Sequence, residues 1–147
     1  MSKQQIEGQR VVPNTSQVSP PSRQREGVVA VIQQDATFLV IRRSRHVVAP
    51  GKLCFPGGGI EAGESQEEAL CRELVEELSV KVVPQTKLWE SETRAQTRIH
   101  WWSAVISEGE ALQANPKEVA SIYWMTKRDL LEQEDLLEGN RAFLDRD

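Results

Sequence analysis

Between Ser65 and Leu78 the chain carries its one long helical signature, and this segment limits the fold more than any other. Ser65 followed three residues later by Glu68 forms a capping box, and Ala69, Leu70, Leu74 and Leu78 recur behind it at helical spacing. The spacing predicts a helix over 65–78. The remaining apolar runs are too short for helices of that kind and are rich in β-branched residues. Val28 to Ile32 and Phe38 to Ile41 flank the polar Gln33, Gln34 and Asp35, which predicts a hairpin. Val80 to Val83, Leu88 to Glu90, Trp101 to Ile106 and Ile122 to Met125 read as further strands, with a turn at Glu108, Gly109 and Glu110. Thr126 is placed to cap a short helix through Leu131, and Leu136, Leu137, Phe143 and Leu144 predict a closing helical stretch. One amphipathic helix inserted among short strands makes an α+β or α/β sandwich, a mixed sheet held between helices.

The 147 residues suffice for about one domain. Residues 1–26 contain five Gln, four Ser and three Pro and few large apolar groups, so they bury too little to offset the entropy of ordering. They are expected to form a flexible tail, with a segment near Val11 able to add to a sheet edge, and order is expected from Gly27. The net charge of −4 lacks the basic excess that a nucleic-acid body or an anionic membrane would attract. No apolar run approaches the roughly 20 residues of a membrane span, and the first residues show no apolar leader with a small-residue cleavage site, so a cytoplasmic location is expected. Cys54 and Cys71, without CxxC spacing, read as two reduced thiols rather than a disulfide or zinc site.

Charge is concentrated where the helix meets a glycine-rich loop. Gly57, Gly58, Gly59 and Gly63 invite a phosphate-loop reading, but Glu64 stands where such a loop has Lys, and a carboxylate there repels phosphate unless a cation intervenes. Glu73, Glu76 and Glu77 lie at i, i+3 and i+4, on one face of the helix. Like charges at that spacing destabilise an isolated helix by about 0.2–0.5 kcal/mol per pair, and near the helix C-terminus the macrodipole makes anions less favourable still. A hard divalent cation reverses that sign, since Mg²⁺ and Mn²⁺ take carboxylate oxygens and keep positions for water and phosphate. Arg72 can pair with Glu68 and Glu76 at i ± 4. Taken alone, the three acids would read as a solvated helix face.

Read together, Gly58 to Val80 runs G-x5-E-x7-R-E-L-x-E-E-x-S-V, with Gly58, Glu64, Arg72, Glu73, Leu74, Glu76, Glu77 and Val80 in place. This resembles the Nudix box, G-x5-E-x7-R-E-U-x-E-E-x-G-U with U aliphatic, at every fixed position but one. The exception is Ser79, where the family's glycine ends the helix in a left-handed conformation. The preceding run is similar to MutT-type members through Arg42, Arg43, Lys52, Leu53, Phe55, Pro56, Gly57, Gly58, Ile60, Glu61, Gly63 and Glu64. Farther on, Glu118 resembles a loop Glu that joins the metal site in that subgroup, and Arg98 falls in a compatible position. The resemblance implies a Nudix fold over 27–147 and a Mg²⁺- or Mn²⁺-dependent hydrolase. It implies that the Gly57 carbonyl and the carboxylates of Glu73, Glu76, Glu77 and Glu118 bind the metal and that Arg72 belongs to the catalytic set. Arg43 would contact phosphate, with Lys52, Phe55 and Arg98 on the substrate side. Glu73 or Glu118 would act as general base, a choice the resemblance leaves open.

The substrate class implied is a small nucleotide, favouring a nucleoside triphosphate, such as an oxidised one like 8-oxo-dGTP, cleaved to monophosphate and pyrophosphate. No Pro lies between Pro84 and Pro116, where ADP-ribose-cleaving relatives have one, and the sole Tyr, Tyr123, comes too late for dinucleoside-polyphosphate enzymes. ADP-ribose, nucleotide sugars and dinucleoside polyphosphates remain the alternatives. A nucleotide-sensing module without turnover is the rival from another class, though such domains typically lose box acids; RNA-end processing ranks last because no basic stripe is visible. Trp101, Trp102 and Trp124 read first as core, with Trp101 and Trp102 on opposite strand faces. Phe55 reads equally as core and as a nucleobase contact, His46 and His100 as surface or strand residues, and Asn140 as a turn or helix-start residue before a purine contact. The sequence does not distinguish monomer from homodimer.

Overall fold

The structure is a computed structural model and describes residues 25–146. The expected tail and its sheet-edge segment near Val11 lie outside the described residues, apart from Arg25 and Glu26. Strand β1, Glu26–Val31, begins one residue ahead of the expected point. It is followed by β2 (Gln33–Gln34), β3 (Thr37–Arg43), β4 (Leu53–Cys54), β5 (Gly57–Gly59) and the helix α1 (Gln66–Leu78). Strands β6 (Val82–Glu92), β7 (Arg98–Ile106) and β8 (Val119–Thr126) and helices α2 (Lys127–Leu131) and α3 (Glu138–Leu144) complete the chain.

The expected hairpin is corrected. Its second arm pairs only at Gln33–Phe38 and Gln34–Thr37, while β1 lies in another sheet, parallel to β7 and antiparallel to β5. The reason is burial on both faces. Val28 and Ala30 point into one core and Val31 into the other, so β1 needs neighbours along both edges and is drawn into the middle of a sheet ordered β5-β1-β7-β6. The chain changes sheets at Ile32, whose carbonyl still accepts the Leu39 N–H at 2.9 Å. In the second sheet β3 pairs with β2 and β4 on one edge and with β8 on the other.

Period-two alternation then sorts the strand residues. Val28, Ala30, Leu39, Ile41 and Ala104 pack with Ala69, Leu70, Leu74 and Leu78 of α1, whereas Val31, Phe38, Val40 and Trp101 pack with Leu130 of α2 and with Phe143 and Leu144 of α3. The sheets are thus held between α1 and the two C-terminal helices. The two expected strands around Pro84 are a single strand, β6, whose register against β7 shifts at Pro84/Thr86 and at Lys87/Trp89. Proline has no ladder donor and is tolerated at such irregularities on an edge strand.

Both ends of α1 follow from local chemistry. The Ser65 side chain accepts the Glu68 N–H at 3.0 Å, and the Glu68 carboxylate accepts the Ser65 N–H at 2.9 Å. At the other end Ser79 itself adopts the left-handed conformation, φ 58° and ψ 31°, and its N–H reaches the Val75 carbonyl at 3.0 Å. The box glycine's geometry is therefore kept at a steric cost of about 1 kcal/mol. Thr126 caps α2 through the Asp129 N–H at 3.1 Å. Both cysteines are free. Among the described residues no helix is long and apolar enough to cross a membrane.

Candidate active site

Because Leu70, Leu74 and Leu78 fix the rotation of α1, the positions beside that apolar strip turn toward β5. Glu73 and Glu77 are buried, whereas the Glu76 side chain is 46% exposed. The Gly57 N–H donates to Glu77 Oε1 at 3.0 Å. At Gly58 the glycine is obligatory for another reason: a Cβ there would overlap the Glu73 carboxyl group. The loop ahead of β8 supplies the third acid. Asn115 ties that loop to α1, its N–H donating to the Glu77 carbonyl at 2.9 Å and its Nδ2 to the Glu76 carbonyl at 3.2 Å. The Glu118 carbonyl in turn accepts the Ser44 N–H at 3.0 Å.

Glu73, Glu77 and Glu118 consequently offer one carboxylate oxygen each, all within 4.8 Å of one another. Three hard oxygens at that spacing suit a divalent cation. Glu76, expected alongside them, instead faces Arg72 at 3.3 Å. Burial foremost, with the Glu73 charge next, pushes the Glu77 carboxyl up to about 8, against the opposing pull of the Gly57 N–H and Arg43. Glu73 is raised as well, again chiefly by burial.

Arg72 does not use Glu68, which the helix cap consumes. Its Nε and second terminal nitrogen form a fork on Glu64 at 2.6 and 2.9 Å, and the latter nitrogen also reaches the Gly59 carbonyl at 2.9 Å. The remaining nitrogen binds Glu73 Oε2 at 3.0 Å. Hydrogen bonds from Arg72 hold Glu64 down to about 2. The residue that spoiled the phosphate-loop match is thus the anchor of the arginine that orients Glu73. Sequence spacing missed this pairing, and Asn115 too, because both depend on loops folding back onto α1; an Asn-Pro dipeptide such as Asn115-Pro116 carries no more than a turn signal.

A cleft of about 860 Å³ opens beside the acids, within the range of small-molecule sites. Arg43 and Gly57 to Gly59 line one part of it, and Phe55, Trp89 and Trp101 another. Phe55 is both things the sequence allowed, lining the cleft while packing edge-on to Trp101 at 6.3 Å and Phe143 at 5.9 Å. Trp101 stacks on Phe143 at 4.8 Å, whereas Trp102 points to the opposite face and donates to Gln66 at 2.8 Å. Trp124 packs against the α1-side core. Asn140 lies within α3 and lines the cleft, its Oδ1 accepting the Phe55 N–H at 2.8 Å. His100 is buried in β7 with Nε2 at 2.7 Å from Glu26, and His46 is exposed. Lys52 is exposed and stands outside the cleft lining, and so does Arg98, which pairs with Glu90 at 2.8 Å.

The raised Glu77 sets a pH dependence. An unfolded Glu titrates near 4.3, so the stability this group contributes is complete below that pH and is lost as pH rises through about 8. With a chelator present, the urea midpoint should fall between pH 5 and pH 9, and Glu77→Gln should flatten that fall. Uptake of Mn²⁺ should release protons below pH 8 and tighten as pH rises, which calorimetry in buffers of different ionisation enthalpy measures.

The family model of the NUDIX domain matches residues 23–146. A nucleoside triphosphatase NudI from Enterobacter sp. (strain 638) is 33% identical over 134 residues, spanning 81% of this chain and 93% of that protein. A nucleoside triphosphatase NudI from Salmonella newport is 42% identical over 62 residues, 42% of this chain and 44% of its own length. Among solved structures, a MutT protein from Methanosarcina mazei Go1 superposes with a TM-score of 0.72 at 24% identity, covering 83% of this chain and 91% of that one. The E. coli ORF135 protein gives 0.67 at 26% identity over 82% and 86%.

Proposed function

Because the chain belongs to the NUDIX family and is a Nudix pyrophosphohydrolase, we propose that it hydrolyses a nucleoside triphosphate to monophosphate and pyrophosphate at this cleft. One observation carries the reading. Three acids from α1 and a distant loop meet within 4.8 Å of one another beside Gly57 and Gly58, which line an aromatic-walled cleft, and carboxylates so close repel one another unless a cation lies between them. Glu73, Glu77 and Glu118 would hold Mg²⁺ or Mn²⁺, with the Gly57 carbonyl and Glu76 as the further ligands the box implies. The ion's chemistry is to neutralise charge on the phosphoryl oxygens. Phe55, Trp89 and Trp101 bind the base, and Arg43 faces the phosphates. Arg72 holds Glu73 through Oε2, and Glu73 or Glu118 takes the proton of the attacking water. As the water oxygen bonds to phosphorus, the bridging P–O bond breaks and its electron pair stays on the leaving oxygen.

The alternative of a sensing module is disfavoured by the retention of Arg72, Glu73, Glu76 and Glu77 together. Incubating the full chain with Mg²⁺ and triphosphates, nucleotide sugars and dinucleotides in heavy-oxygen water, with products read by mass, tests the choice. The expected result is monophosphate and pyrophosphate from a triphosphate, with the label in one of them. Turnover of only nucleotide sugars or dinucleotides would overturn the substrate class, and no product at all despite metal uptake would favour sensing.

A further inference from the structure

The hollow of about 410 Å³ beside the catalytic cleft is lined by a run of basic residues, of which only Arg43 has a part in the reaction proposed at the three acids. Arg42, Arg43, Arg45 and His46 lie along it, with Pro116, Val119 and Ala120 opposite. Two relations tie it to the active site. Arg43 lines both hollow and cleft. Pro116 and Val119 flank Glu118 in sequence, so the loop carrying the third acid forms the far wall.

The basic residues of the run are not equivalent. Arg42 is committed to Asp135 at 2.6 Å and to the Gly51 carbonyl at 2.8 Å, while Arg43 donates its Nε to the Val48 carbonyl at 2.7 Å. Arg45 and His46 are exposed, and their side chains have no hydrogen-bond or ion-pair partner among the described residues. Their backbone is nevertheless held. Ser44 between Arg43 and Arg45 is buried, donates its hydroxyl to the Lys117 carbonyl at 2.8 Å and accepts the His46 N–H at 3.1 Å. Two unspent donor groups on a fixed turn, inside a hollow, on a chain of net charge −4, mark a local reversal of sign.

We propose that the hollow is a polyphosphate annex, in which Arg45 and His46 grip the phosphates farthest from the nucleoside while the nearer ones lie at Glu73, Glu77 and Glu118. The annex rests on the hydrolase reading above and specifies which part of the substrate the second hollow takes. Arg45 and His46 thereby select for chain length, favouring substrates with a longer phosphate chain and retaining pyrophosphate as product.

The test uses the full chain with Mg²⁺ and the variant Arg45→Ala/His46→Ala, with Arg128→Ala as a control that removes an exposed cation elsewhere. Kinetics on nucleoside di-, tri- and tetraphosphates should show the variant's KM penalty growing with each added phosphate, to about tenfold or more for the tetraphosphate, with kcat little altered. Calorimetry with inorganic tripolyphosphate should show weakening of similar size, absent from Arg128→Ala. A penalty independent of chain length together with unchanged tripolyphosphate affinity would overturn the annex. If wild type turns over no nucleotide yet tripolyphosphate binding still depends on Arg45 and His46, the hydrolase reading fails and the annex stands.

Discussion

Glu77→Gln should lower turnover about a thousandfold or more while leaving the fold intact. The substitution keeps the shape and the acceptor oxygen that receives the Gly57 N–H, so circular dichroism should be unchanged. What it removes is the charge of the most deeply buried of the three clustered acids. That charge is held at a cost, as the carboxyl's rise to about 8 shows, and a cation is what makes the ionised form favourable there. Without metal the variant should be the more stable protein above pH 8, because the neutral amide avoids burying a charge. Opposite signs for stability and turnover distinguish a site assembled for a ligand from an acid kept for packing. Near-normal rates in Glu77→Gln would remove Glu77 from the catalytic machinery.

Gly58→Ala should be almost as damaging although it changes no functional group. An added methyl at Gly58 would overlap the Glu73 carboxyl, whereas one at Gly59, the next residue, meets nothing within 4 Å. Arg72 fixes Glu73 from one side at 3.0 Å, and Glu77 and Glu118 crowd it from another, so the displaced carboxylate cannot retreat without breaking the cluster. A displacement of about 1 Å costs on the order of a hundredfold in rate. Overpacking adds a stability loss of about 1–3 kcal/mol. Activity and Mn²⁺ affinity should fall together in Gly58→Ala and far less in Gly59→Ala. Equal behaviour of the two variants would show that the contact between β5 and Glu73 is immaterial.

The legible and illegible parts of the site divide along sequence separation. Ser65 with Glu68, Thr126 with Asp129 and the leucine strip of α1 interact within a turn or two of helix, and each was readable from residue type and spacing. Arg72 shows where such reading stops. Its i − 4 neighbour Glu68 was the expected partner, yet Glu68 is spent on the cap and Glu64 takes its place, from a turn outside the helix. The apparent hairpin of β1 and β3 failed for a related reason: adjacency in sequence favours pairing, but burial on both faces of β1 outweighs it. Glu118 was legible by resemblance alone, since nothing in its own surroundings in sequence marks it as a member of an acidic cluster.

Residue type and spacing alone were enough for the helix, its N-terminal cap, the alternation of the strands and the presence of a complete set of box acids, because these rest on contacts between near neighbours whose geometry the backbone period fixes. That Glu73 and Glu77 join Glu118 while Glu76 turns to Arg72, that Phe55 serves core and cleft together, and that the basic run borders its own hollow emerged with the three-dimensional packing. Those outcomes depend on which loops fold back onto α1 and on which buried groups find a partner there, and both are settled by packing across the whole chain.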